Sequence, residues 1–126
     1  MSQFFKNQTE ALKDCLQNSY SHDSIIKDLR YYRKESKLMV EAVNQFFHVG
    51  MNLTFDGVIA FLSINGNWPG DRDTIIALVV EEDYSFLKNC KQVCGDCFDN
   101  SLYLVFQMLS GDELHIVSKS VYVEII

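Results

Sequence analysis

Long apolar runs are missing from this sequence: no stretch approaches the roughly 20 consecutive apolar residues that a membrane-spanning helix requires, so no membrane partner is expected. Basic residues are in deficit as well. Eleven Lys and Arg face 17 Asp and Glu, a formal net charge of -6, whereas nucleic-acid binding needs a surplus of cations to neutralise phosphates. Met1-Ser2-Gln3-Phe4-Phe5-Lys6 is not a charged start followed by an apolar stretch, so no secretory signal is expected and the protein is expected to be soluble and cytoplasmic. Four cysteines in a chain able to bury its own core call for no disulfide framework, and reduced thiols are the expectation. The N-x-T matches at Asn7 and Asn52 then carry no meaning. Internal repeats, low-complexity segments and linkers are absent too.

Catalytic grammar is also lacking. No Ser or Cys occupies a nucleophile-elbow or triad-like setting, and His22, His48 and His115 are scattered and read as surface or capping residues. Asp71-Arg72-Asp73 opens like a calcium loop but lacks the further acid, the central Gly and the closing Glu. Cys90, Cys94 and Cys97 form C-x3-C-x2-C, a spacing that resembles the cluster loop of radical-SAM enzymes and part of a zinc site. A radical-SAM barrel needs far more chain, and a fourth zinc ligand would have to be distant, Cys15 or His115. The same thiols fall on the apolar stripe Phe86, Leu87, Cys90, Val93, Cys94, Cys97, which buried free cysteines suit. No cofactor is therefore expected, the outside alternative being a small metal- or thiol-dependent enzyme built on Cys90, Cys94 and Cys97.

What is present is 48% hydrophobic residues in 126, enough for a single globular domain over 1–126. Periodicity predicts a helical part over 1–50 and a sheet part with one helix over 51–126. A first helix is expected over 3–20. A second is expected from Ile25 to about His48 on the stripe Ile25, Leu29, Tyr32, Ser36, Met39, Val43 and Phe46, with Tyr31-Tyr32-Arg33-Lys34 on its solvated face. β structure follows at Leu53–Phe55 and Val58–Ile64, with Asp56-Gly57 forming a bulge or tight hairpin. Val58–Leu62 and Ile75–Val80, apolar on both faces, are the expected central strands. A third helix is expected over Tyr84–Cys94, capped by Asp83 or Ser85. Leu102–Met108 and Glu113–Ser118 read as a hairpin through Ser110-Gly111-Asp112, with Val121–Ile126 continuing the last strand past a kink at Ser118–Ser120. The fold class expected is α+β: an N-terminal helical pair packed with a mainly antiparallel sheet of four to five strands, plus a third helix between strands.

The charge is uneven. Residues 1–50 hold seven Lys/Arg and six Asp/Glu, a balance of +1, and residues 51–126 hold four against 11, a balance of -7. A surface of one sign steers partners of the other. The expected binding residues are therefore Asp71, Asp73, Glu81, Glu82, Asp83, Asp96 and Asp99, with Trp68, set in the loop Asn65–Gly70 beside the single proline, as an apolar anchor. In size, acidity and lack of catalytic motifs the chain resembles the immunity proteins of bacterial toxin systems, contact-dependent inhibition among them, which are small, acidic, of many folds, and block basic nuclease toxins. No motif carries the resemblance, and no residue role is transferred by it. It implies a binding protein, not an enzyme, acting as a monomer or weak dimer on a basic protein partner. The acidic chaperones of type III secretion are similar in size and pI, and an effector-binding chaperone is the alternative. They follow an α-β-β-β-α-β-β-α order and end in a helix, whereas this chain ends in Val121-Tyr122-Val123-Glu124-Ile125-Ile126.

Overall fold

Along residues 38–44 burial alternates with a period of two: Leu38, Val40 and Ala42 are buried, Met39 and Glu41 exposed. That is the pleat of a strand with one face on a core. In the computed structural model, which describes residues 2–19, 21–64, 74–88 and 100–126, this segment is β3 (Lys37–Asn44), paired antiparallel with β2 (Ser24–Tyr32). The expected second helix is thus a hairpin. None of its seven stripe residues is buried, and Phe46 is 78% exposed. The turns on either side of β3, at 33–36 and 45–48, contain no Gly or Pro to mark them in the sequence. Ser36 (φ 50) and His48 (φ 56) take the left-handed conformation instead, which non-glycine residues seldom adopt.

The remaining strands are β1 (Ser2–Phe5), β4 (Val49–Ile64), β5 (Ile75–Val80), β6 (Leu102–Met108) and β7 (Glu113–Ile125). All seven form one antiparallel sheet in the order β2-β3-β4-β7-β6-β5, with β1 also paired to β7. The α+β expectation is corrected on both counts: the described residues form seven strands where four to five were predicted, and no helical pair is among them. Of the first helix only α1 (Thr9–Gln17) is α-helical. It follows a strand and one 3-10 turn at Lys6–Gln8. Of the third, α2 (Ser85–Lys88) is present, and Asp83 is its cap as expected, its Oδ1 accepting the Ser85 N–H at 2.9 Å. The expectations for Asn65–Asp73, including Trp68, Asp71 and Asp73, and for the stretch holding Cys90, Cys94, Asp96, Cys97 and Asp99 lie outside the described residues.

β4 and β7 are long because two arms of the sheet share them. The first half of β4 pairs with β3, while its whole length from Met51 runs beside β7. The other side of β7 is taken by β6 along Glu113–Ser118 and by β1 along Ser120–Val123. The arms meet again where Ile25 bridges Thr74 and the Asp23 N–H donates to the Ile75 carbonyl at 2.9 Å. Strands that serve two packed layers turn the corner at bulges. Here the register slips between Val58 and Ala60, next to Gly57 at φ +63. β7 passes its expected kink with the Ser118 hydroxyl donating to the Ser120 carbonyl.

Inside the bend lies the main core. Phe55 from one arm meets Phe106 from the other edge-to-face, with centroids 6.5 Å apart, and Leu12 and Leu16 of α1 join the cluster together with Phe4. One central-strand expectation needs correction: β5 lies at the edge of the sheet, and Ile76 is 43% exposed.

Candidate functional site

Leu102, Leu104, Phe106 and Met108 face the core, so Tyr103, Val105 and Gln107 stand on the outer face of β6. Tyr103 and Val105 are nonetheless buried. After β5 the chain returns across this face, and Leu87 forms a second apolar cluster with Tyr103, Val105 and Val117, flanked by Ala60, Leu62 and Tyr84. Tyr84 fixes the return: its hydroxyl donates to the Ser101 carbonyl at 2.7 Å, and Lys6 of the N-terminal turn lies over its ring.

On β7, His115 points to the opposite face from Leu114 and Ile116, as their alternation implies, but it is not a surface residue. It is 6% exposed. Phe86 stacks on its ring at 4.8 Å. The Tyr103 hydroxyl lies 2.5 Å from Nδ1, and Nε2 lies 3.2 Å from Glu113 Oε1. The neutral tautomer protonated on Nε2 satisfies both contacts, with Tyr103 donating to Nδ1 and Nε2–H donating to the carboxylate. Tyr103→Phe removes that donor and leaves Nδ1 unpaired under Phe86. The expected loss is about 1–2 kcal/mol in urea unfolding, the cost of stranding a buried polar atom, with an unchanged slope. A loss below a few tenths would show that the contact carries nothing. His22 and His48 are exposed, as expected.

Over this pair opens a cleft of about 250 Å3, walled by Val79, Glu81, Asp83, Phe86 and Glu113 and floored by Tyr103, Val105, Gln107 and His115. Three carboxylates line it, and no Lys or Arg is among the described residues that do. Two of the acids are held by backbone donors. Glu81 Oε1 accepts the N–H groups of Glu82 and Asp83, both at 3.0 Å, and Asp83 Oδ1 accepts from Ser85. Their headgroups are therefore oriented before any partner arrives, which lowers the entropy lost on binding.

Of the acids expected from sequence to bind a partner, the structure brings Glu81 and Asp83 to this cleft and adds Glu113. Glu82 points elsewhere: it and Glu10 accept from the Lys13 ammonium at 3.2 and 3.4 Å, and these hydrogen bonds, to Glu82 first and Glu10 second, raise the lysine's pKa. The Tyr103–His115 floor was missed. Its signal was the run Leu102–Phe106, apolar on alternate and intervening positions alike, which requires cover on both faces.

Chemically the cleft suits an organic cation. A guanidinium or ammonium would find carboxylate acceptors on the walls and the partly exposed face of Phe86. Among the described residues no group of three or more His, Cys, Asp or Glu is close enough together to hold a metal ion. Also among the described residues, no helix is long and apolar enough to cross a membrane. No protein-family model matches the chain, and no curated protein matches it.

Proposed function

We propose that the chain is an inhibitory binding protein of the immunity type, which neutralises a basic, nuclease-like toxin domain by receiving its cationic side chains in the acid-lined cleft. The observation that carries this reading is the convergence of Glu81, Asp83 and Glu113 on one cleft that no described Lys or Arg lines. The net charge of -6, concentrated in residues 51–126, supports it. Charge of one sign accelerates encounter with a partner of the other and makes the rate depend on salt.

The test starts from the adjoining reading frame. Its product is expressed with and without this chain, and growth and nuclease activity are scored. Relief of toxicity by a complex that associates more slowly at high salt is the expected result. Glu113→Lys should slow association by about tenfold, and Glu113→Gln, which still accepts from His115, by less. Charge reversal at Glu81 or Asp83 is a poorer probe, because both side chains also secure the local turn. Absence of binding, or association indifferent to salt and to Glu113→Lys, would sink the reading.

A further inference from the structure

β5 pairs with β6 along one side, and on the other it begins a second pairing that stops short. At its start the Asp23 N–H donates to the Ile75 carbonyl and His22 Nδ1 contacts the Ile76 carbonyl, so residues 22–25 lie along the strand edge as a neighbouring strand would. Beyond Ile76 the described chain turns away.

The register shows what is left. The Glu81 N–H donates to the Tyr103 carbonyl at 2.8 Å, which makes these a hydrogen-bonded pair, and Val79 faces Val105 in the same way two residues earlier. In an antiparallel ladder the intervening residues turn their polar groups to the other side. Leu78 and Val80 therefore direct N–H and C=O away from β6, toward α1. Between them and α1 lies a groove of about 590 Å3, lined by Lys13, Leu16 and Gln17, by Ser21 and His22, and by residues 76–80. Lys13, the one ammonium among the described residues that line it, is engaged by two carboxylates, Glu10 and Glu82, and Glu81 follows directly on β5.

We infer that the side of β5 left unpaired among the described residues, from Ala77 to Val80, accepts an extended segment of a basic partner as an added strand. The segment would alternate apolar residues, packed on Leu16 and the groove wall, with Lys or Arg on the opposite face, directed at Glu81 beside the end of the strand. Main-chain bonds to Leu78 and Val80 supply affinity in such an addition, and alternate side chains supply selectivity. The choice of a basic segment rests on the function proposed above; the strand addition rests on the ladder geometry alone.

The experiment uses the intact protein and a short capped peptide alternating valine and lysine, with amide hydrogen exchange read residue by residue. Exchange at Leu78 and Val80 should slow by about tenfold on binding. The same peptide with alternate backbone N-methyl groups should lose binding by about tenfold or more, as should Gln17→Trp, which fills the groove from an exposed helix position. An unchanged melting curve shows that Gln17→Trp folds. Lysine peptide that leaves the Leu78 and Val80 amides unprotected overturns the strand addition, and protection around His115 and Phe86 instead leaves the basic-partner reading standing. A valine–glutamate peptide that binds as tightly and protects the same amides keeps the strand addition and removes the basic partner. Protection that appears without peptide and grows with protein concentration assigns the edge to a second copy and overturns the proposal.

Discussion

Phe106→Ala is expected to lower the unfolding free energy by about 3–5 kcal/mol, the range for deleting a buried aromatic ring. Domains of this kind hold about 5–15 kcal/mol in total, so the variant should lose roughly a fifth or more of its stability. Phe106 is fully buried and meets Phe55 across the bend, where the two arms of the sheet have their largest shared side chains. Truncation therefore removes contact from both arms at once, and the strands around it cannot collapse without breaking register. Urea unfolding followed by far-UV circular dichroism measures the loss directly. A double-mutant cycle of Phe55→Leu with Phe106→Leu should return a coupling of about 0.5–1.5 kcal/mol, as edge-to-face pairs do. A loss under about 1 kcal/mol for Phe106→Ala would mean that the arms do not share one core.

The second large effect belongs to Gly57. At φ +63 an L side chain is strained by about 1–2 kcal/mol, and a Cβ there would lie 2.9 Å from Cγ and Cδ of Lys119 on the neighbouring strand. Gly57→Val combines that strain with a branched Cβ and should lose the most stability. Gly57→Ala should lose less, and Gly57→Asn least, since asparagine tolerates this conformation. Backbone strain and collision can be separated. Lys119 is exposed, so Lys119→Ala removes Cγ and Cδ cheaply and should relieve part of the Gly57→Ala loss while leaving the backbone component. If Gly57→Ala is equally damaging in both backgrounds, the end of the lysine gives way freely, and the loss belongs to the dihedral and to Cβ of residue 119, which stays 3.0 Å from the added Cβ. If Gly57→Val is neutral, β4 does not depend on this bulge to bend.

These two positions also mark how unevenly the fold could be read from sequence. Gly57 announced a break in β4, and Ser110-Gly111-Asp112 announced the β6–β7 hairpin, because both use residues whose chemistry favours turns. The strands Leu102–Met108 and Ile75–Val80 match their elements end to end. The β2–β3 hairpin was illegible for the opposite reason. Arg33-Lys34-Glu35-Ser36 has no glycine, and the apolar residues on either side happen to fall at intervals of four and three. The competing alternation of Leu38, Val40 and Ala42 was shorter but true, and Asn44 completes it. It is buried, its side-chain oxygen accepting the N–H groups of Phe46 and Phe47 and its amide donating to the His22 carbonyl. Local periodicity cannot choose between two such patterns; the tertiary partner β4 does.

The candidate site divides in the same way. Its acids were visible as charge, since Glu81 and Asp83 sit in a dense acidic stretch. Which of them converge was not, because Glu82 between them turns to Lys13, and Glu113 arrives from β7. His115 and Tyr103 are twelve residues apart in sequence and become neighbours only through strand pairing.

The position of β7 has a kinetic consequence. It is the strand that β1, β4 and β6 all pair with, yet it follows every one of them along the chain. As the polypeptide leaves the ribosome, β2, β3 and β4 can meander together, but β1 waits for its β7 partner until β2 through β6 have emerged and β7 itself follows. Structure formation is then dominated by contacts distant in sequence, which places folding toward the slow, millisecond-to-second end of the range for single domains. During that interval the inward side of β4 presents Met51, Leu53 and Phe55 uncovered, and this is the surface on which a chaperone or an aggregating neighbour would act first.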